Sequence, residues 1–155
     1  MTPDFKINDL GLLRYGKAVL EGKNPQDFAN SFPSDQFVCF GQYNEEKMPL
    51  WVITLHSFQK NHDCLLEMAF NKKGLFSAQL FKKIGYVIAD YMFNQANLLR
   101  CTAEIRASNY KSLRLVKAWG FVLEGIKKHG FVSPKIEDMH ILGLYKENCI
   151  WLSGR

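Results

Sequence analysis

The sequence predicts an α/β fold: a mixed, mostly antiparallel sheet of about six strands covered by helices. Three observations predict it. Extended apolar runs bounded by polar turns follow residue 36, the apolar period changes to that of a helix near residue 77, and strand-like runs then return on either side of a second, shorter helix. A strand, a long helix and a further strand in that order form a right-handed crossover, whereas short connections elsewhere suit antiparallel neighbours. With 155 residues, 47 % of them apolar and 23 % charged, the chain fits a single domain over residues 1–155. A domain of that size buries about 70 % of its unfolded surface. Disordered and collagen-like classes are excluded.

The elements can be justified in chain order. "MTPDFKINDL" carries acids and lacks an apolar core, so it fits neither a signal peptide nor a membrane anchor, and a cytoplasmic location is the expectation. "DLGLLRYGKAVLEGKNP" has apolar residues at 10, 12, 13, 19 and 20, interrupted by glycines and stopped by Pro25, which predicts a short helix and a loop. "SFPSDQ" is turn chemistry. The runs "QFVCFGQY", "MPLWVITLHSF" and "CLLEMAF" are strands separated by "NEEK" and "QKNHD". Leu80, Phe81, Ile84, Val87, Ile88, Tyr91 and Met92 recur at helical spacing, with Lys82, Lys83 and Asp90 on the other side, and predict a helix over 77–95.

"LLRCTAEIRA" returns to strand. Ser108 or Asn109 can then cap a helix whose apolar positions are Leu113, Leu115, Val116 and Trp119, and Gly120 supplies the left-handed stop. "FVLEGIKKHGFV" and "MHILGLYKENCIWL" read as two closing strands, joined as a hairpin across "SPKIED". No internal repeat, linker or second domain is evident.

The net charge of +5 suits an anionic partner, with nucleic acid, a membrane surface and a phosphorylated cofactor all open on charge alone. The basic residues do not gather into one run and no aromatic-basic motif occurs, so nucleic acid is not expected. Cys39, Cys64, Cys101 and Cys149 stand far apart in apolar runs, without C-x-x-C or His at zinc spacing. They read as buried reduced thiols, and no metal is expected.

Between Arg100 and Gly125 the chain carries N-x-x-S-x-R-x-x-K-x-x-G-F-x-x-E-G, as Asn109, Ser112, Arg114, Lys117, Gly120, Phe121, Glu124 and Gly125. Together with the element order over about residues 36–152, this resembles the GNAT acyl-CoA N-acyltransferase family, and most of all the branch of the RimJ and RimL ribosomal-protein acetyltransferases. The closing "KENCIWL" is also similar to the tail of short GNAT proteins of tailed bacteriophages. The resemblance implies a central splayed parallel pair, here "CLLEMAF" and "RCTAEIRA", between which the pantetheine arm of acetyl-CoA enters. Separated strands leave backbone groups that an amide-rich arm can satisfy.

The resemblance also assigns roles. It implies cofactor contact for Asn109 and puts Ser112 near the sulfur, where a hydroxyl can protonate the leaving thiolate. Other branches use a tyrosine acid at the position of Val116. Lys111 and Arg114 would lie near the 3′-phosphate of coenzyme A, and amides near Met68 to Phe70 would hold the oxyanion. The family's glycine-rich Q/R-x-x-G-x-G/A motif falls on Phe76 to Phe81, which lacks both glycines. Ser77, Ala78 and Gln79 would then border the pyrophosphate, with Lys82 and Lys83 close by.

Glu67, on one arm of the pair, is the first candidate base for the attacking amine, and Glu104, on the other, is the second. Each has an ordinary reading beside the functional one: a cap for Asn109, a first-turn residue for Ser112, solvated charges for the lysines, arginine and carboxylates. The implied partners are acetyl-CoA and a primary amine, a protein N-terminus, lysine or small amine, in a monomer or homodimer. The alternative is a catalytically degenerate GNAT-fold binding or structural protein, phage-encoded and acting on host or virion components. The missing glycines and the apolar "FVCFGQYNEEKMPLWV" motivate it.

Overall fold

A computed structural model describes residues 37–43, 49–70 and 78–153. The expected helix near the N-terminus, Ser77 and the segment over Gly74 lie outside them. Along the chain run β1 (Phe37–Tyr43), β2 (Pro49–Gln59), β3 (Asp63–Phe70), α1 (Ala78–Asp90), a π-helical turn (Tyr91–Gln95), β4 (Arg100–Arg106), α2 (Tyr110–Ala118), β5 (Val122–Phe131), β6 (Glu137–Tyr145), a 3₁₀ turn (Lys146–Asn148) and α3 (Ile150–Ser153). The strands form one six-stranded sheet in the order β1-β2-β3-β4-β6-β5. β1–β2, β4–β6 and β5–β6 are antiparallel. β3 and β4 are parallel, in register at Leu65↔Thr102. The mixed α/β fold is therefore the one the sequence predicts.

The chain forms two compact units, residues 1–57 with 66–75 and residues 58–65 with 76–155. In the first, Trp51, Val52, Ile53, Thr54, Leu55 and His56 are all buried. Both faces of β2 are thus covered, which is why "LWVITL" reads as a continuous apolar run rather than an alternating one.

In the second unit, the apolar stripe of α1 carries Ile84, Ile88 and Ala89 into the core, and Met92 and Phe93 of the π turn continue it. The helix expected over 77–95 is thus an α-helix that widens at its end, where the Ala96 N–H reaches back to the Tyr91 carbonyl at 2.7 Å. Trp119 ties α2 to α1: its ring stacks on Phe81 at 5.2 Å and its indole N–H donates to the Phe81 carbonyl at 3.3 Å. Gly120 follows at φ +100°, the left-handed stop that only glycine adopts without strain.

One prediction is corrected. "KENCIWL" does not extend the last strand, because β6 stops at Tyr145 and the chain turns into α3. Trp151 then lies edge-on to Phe81 and donates to the Trp119 carbonyl at 3.0 Å. A side-chain carbon at Gly85 would meet that indole at 2.7 Å. Burial of a large ring against a glycine gap overrides the strand-like composition of the segment.

Candidate functional site

The second unit places the N-x-x-S motif on the turn from β4 into α2. Asn109 is the cap, its Oδ1 accepting from the Ser112 N–H at 3.2 Å. The cap occupies the carbonyl oxygen and leaves the amide –NH₂ of Asn109 to serve a ligand. Ser112 is 8 % exposed and shares the inward face with Leu113 and Val116. Its hydroxyl makes no hydrogen bond to a described residue. A hydroxyl without such a partner retains its proton for donation.

Val116, one turn further along that face, is fully buried. Lys111 and Arg114, three apart on the outward face, are exposed and stand where one anion can meet both. The turn itself is braced by the hairpin between β5 and β6. Arg106 donates to the Ser133 carbonyl, pairs with Glu137 at 3.4 Å and lies over the Phe131 ring at 4.3 Å, while Glu137 accepts from the Ser108 N–H at 3.3 Å.

Lys82 and Lys83 are exposed on α1. The described helix runs from Ala78, so both lie at least a turn inside it, beyond the first-turn reach of the macrodipole. Their charge therefore meets little of the helix-end dipole, which gives no strong electrostatic reason for a resident anion there. Ala78 and Gln79 open the described part of α1.

Glu104 is exposed on β4, on the face of Arg100, Thr102 and Arg106 and opposite the buried Cys101, Ala103 and Ile105. That face carries a polar network that sequence reasoning missed. Arg100 forms an ion pair with Glu124 and approaches Asp63 at 3.4 Å; Thr102 donates to Asp63 at 2.8 Å, and the Tyr145 hydroxyl donates to Glu124 at 2.6 Å. The Arg100 bond, then that from Tyr145, holds the Glu124 carboxyl below the usual carboxylate range. Any side chain at Gly143 would collide with the Arg100–Glu124 pair. The Glu-Gly end of the sequence motif is therefore structural: Glu124 anchors β5 to β4, and Gly125 takes up a register shift.

In the first unit, Glu67 of β3 is 42 % exposed and faces His56 of β2, Oε1 to Nε2 at 3.3 Å. His56 is 7 % exposed in its side chain, and its Nδ1 lies 2.9 Å from the Ser57 hydroxyl. The candidate base thus has an imidazole partner that the sequence did not reveal, since His56 is merely the polar end of an apolar run. Met68 is half-buried on the same strand, and Phe70 ends it.

Cys64, Cys101 and Cys149 are buried thiols in no disulfide, with the Cys64 and Cys101 sulfurs 3.8 Å apart. Burial pushes the Cys101 thiol well above its ordinary value, so it stays protonated and unreactive. Among the described residues no group of three His, Cys, Asp or Glu could hold a metal ion, and no helix is long and apolar enough to cross a membrane.

No protein-family model matches this sequence, and no curated protein matches it. Solved structures do resemble it. A chimera of the Vibrio cholerae spermidine N-acetyltransferase SpeG with hSSAT superposes with a TM-score of 0.72 at 15 % identity, covering 98 % of this chain and 99 % of that one. The spermidine N-acetyltransferase of Vibrio cholerae in complex with CoA and spermine gives 0.67 at 14 % identity, over 94 % and 92 % of the two chains. A ribosomal-protein alanine acetyltransferase of Vibrio fischeri gives 0.62 at 19 % identity, over 74 % and 64 %. At these identities the likeness establishes the fold, which this chain shares with N-acetyltransferases.

Proposed function

We propose that this chain is an acetyl-CoA-dependent N-acetyltransferase of GNAT type, a single functional domain over residues 1–155 that acetylates a primary amine by direct attack. The observation that carries the reading is the β4–α2 turn. A cap with a spare amide, an unpartnered hydroxyl on a buried residue and two exposed cations occupy one short segment, in a fold shared with an acetyltransferase solved with CoA.

In this reading the pantetheine arm lies between β3 and β4, the Asn109 amide contacts it, and Lys111 and Arg114 meet the 3′-phosphate. Ser77, Ala78 and Gln79 with Lys82 and Lys83 border the pyrophosphate. Glu67, with Glu104 as the second choice, takes the proton from the ammonium group of the acceptor. The freed amine nitrogen bonds to the thioester carbonyl carbon as amides near Met68 to Phe70 hold the developing oxyanion. The carbon–sulfur bond then breaks, Ser112 donates its proton to the departing thiolate, and the excess proton on the acylated nitrogen passes, directly or through water, to the Ser112 oxygen, leaving a neutral amide and a restored hydroxyl. Holding amine and thioester together supplies much of the rate.

The similar proteins, acetyltransferases of a polyamine and of a ribosomal protein among them, support an amine acceptor in general. A RimJ/RimL-like protein N-terminus is the first choice, a lysine or small amine the second. A cytoplasmic monomer or homodimer of phage origin is the setting this reading favours. A non-catalytic binding module is the competing reading, and the absence of glycine from Phe76 to Phe81 favours it. Acetyl-CoA separates the two. At a hundred times Kd a ligand of the folded state adds about 2.7 kcal/mol, and the melting midpoint of a domain this size is expected to rise by a few degrees. An unmoved midpoint at millimolar acetyl-CoA would contradict the proposal.

A further inference from the structure

The hairpin of β5 and β6 is fastened to the segment between β4 and α2 by bonds that strand pairing does not supply. Pairing of β4 with β6 ends at Arg106↔Met139. Beyond it the Ala107 N–H donates to the Asp138 carbonyl at 3.1 Å, and the Ser108 N–H donates to Glu137 Oε1 at 3.3 Å. Oε2 of the same carboxylate accepts from Arg106 at 3.4 Å, and Arg106 also donates to the Ser133 carbonyl and lies over the Phe131 ring at 4.3 Å. The three residues that lead into the cap, Arg106 to Ser108, are thus all held by the end of the hairpin.

That end has a fixed shape of its own. The Asp138 carboxylate accepts from the His129 N–H at 3.0 Å, and His129 sits at φ +52°, a left-handed conformation that a residue other than glycine keeps where its surroundings hold it. The Glu137 side chain is 11 % exposed. Bonding by Ser108 is the first of the effects that hold its carboxyl below the usual carboxylate range, so it is ionised at neutral pH. An ionised acceptor makes the stronger bond to a backbone N–H.

From Glu137 the connection to the candidate acid is short. Ser108 precedes Asn109, whose Oδ1 accepts from the Ser112 N–H at 3.2 Å and whose carbonyl accepts from the Leu113 N–H at 3.1 Å. We propose that Glu137 is a positioning residue for Ser112: by holding the Ser108 N–H it fixes where Asn109 starts α2, and so where the Ser112 hydroxyl stands. This deepens the acetyltransferase reading and rests on Ser112 being its acid. The role needs no contact between Glu137 and substrate, because it acts through Ser108 and Asn109.

Amide exchange and turnover test it separately. In hydrogen exchange followed by NMR, Glu137→Ala is expected to speed exchange at both the Ser108 and the Ser112 amides by about tenfold, with the buried β4 residue Cys101 unchanged. Acceleration at Ser108 alone, or at neither, would overturn the proposal, because the cap would then not depend on the carboxylate. In turnover with acetyl-CoA and an amine, Glu137→Ala is expected to lower kcat about tenfold, the effect of losing one hydrogen bond to a charged group. Glu137→Gln, whose amide oxygen can still accept from Ser108, is expected to recover most of that loss. Added to Ser112→Ala, Glu137→Ala should change kcat by less than about twofold, since a hydroxyl that is absent needs no placement. Unchanged kcat in Glu137→Ala, equal losses in the alanine and glutamine variants, or losses that multiply with Ser112→Ala would reject the positioning role. Absence of turnover in a wild type whose Ser112 amide responds to Glu137→Ala would instead count against the acetyltransferase reading, leaving the coupling of Glu137 to the turn in place.

Discussion

Ser112→Ala is expected to lower kcat for acetyl-CoA-dependent amine acetylation by about 10²–10⁴-fold, the contribution of a positioned general acid. The acetyl-CoA-induced rise in melting midpoint should stay within about a degree of wild type. Two features of the turn make this a sharp expectation. The cap bond runs from the Ser112 backbone N–H to Asn109, so alanine preserves it. The hydroxyl holds no described residue, so its removal leaves no buried protein partner unsatisfied. A structural role would show as lost stability, and a binding role as a lost acetyl-CoA shift. Thiol release measured under saturating acetyl-CoA separates these from loss of the acid. Parallel loss of binding and rate would reject the assignment.

Glu67→Gln is expected to have an effect of similar size, about 10²–10⁴-fold on kcat. The amide preserves shape, but it cannot take a proton from the acceptor. Raising the pH supplies more free amine and is expected to recover part of the lost rate. Glu104→Gln serves as the control. Glu104 is an exposed carboxylate on the β4 face that carries Arg100 and Thr102, and its loss is expected to change kcat by less than about threefold, as surface substitutions usually do. The reverse order, with Glu104 essential and Glu67 dispensable, would move the base to β4.

What was legible in the sequence was what local pattern encodes. Period-two and continuous apolar runs gave the strands, and the 3.6-residue period gave α1. Asn109, three residues before the N–H it caps, and Gly120, just past the last turn of α2, marked that helix at both ends. These signals lie within a few residues of the structure they specify.

The interactions that escaped reading join distant residues. His56 and Glu67 meet only because β2 and β3 are neighbours, and a one-residue slip in register would turn either to the other face. The Arg100, Asp63, Glu124 and Tyr145 network draws on four separate strands. For the same reason Glu124, quoted in the motif, reads as a functional signature in sequence and as an anchor in the fold. "KENCIWL" was misread because the gap over Gly85 that receives Trp151 lies 66 residues away along the chain. The candidate site was half legible: the cap, the hydroxyl and the two cations follow from one segment, whereas the partner of the base does not.

The central claim is that this chain moves an acetyl group from coenzyme A to an amine. Coenzyme A thiol release, followed continuously with acetyl-CoA and either spermidine or a peptide with a free alanine N-terminus, tests it most directly, with the acetylated amine identified by mass. Amine-dependent release by the wild type is expected, one acetylated amine per thiol, with near-complete loss in Ser112→Ala and Glu67→Gln. Release that is independent of amine, or equal in wild type and both variants, would contradict it.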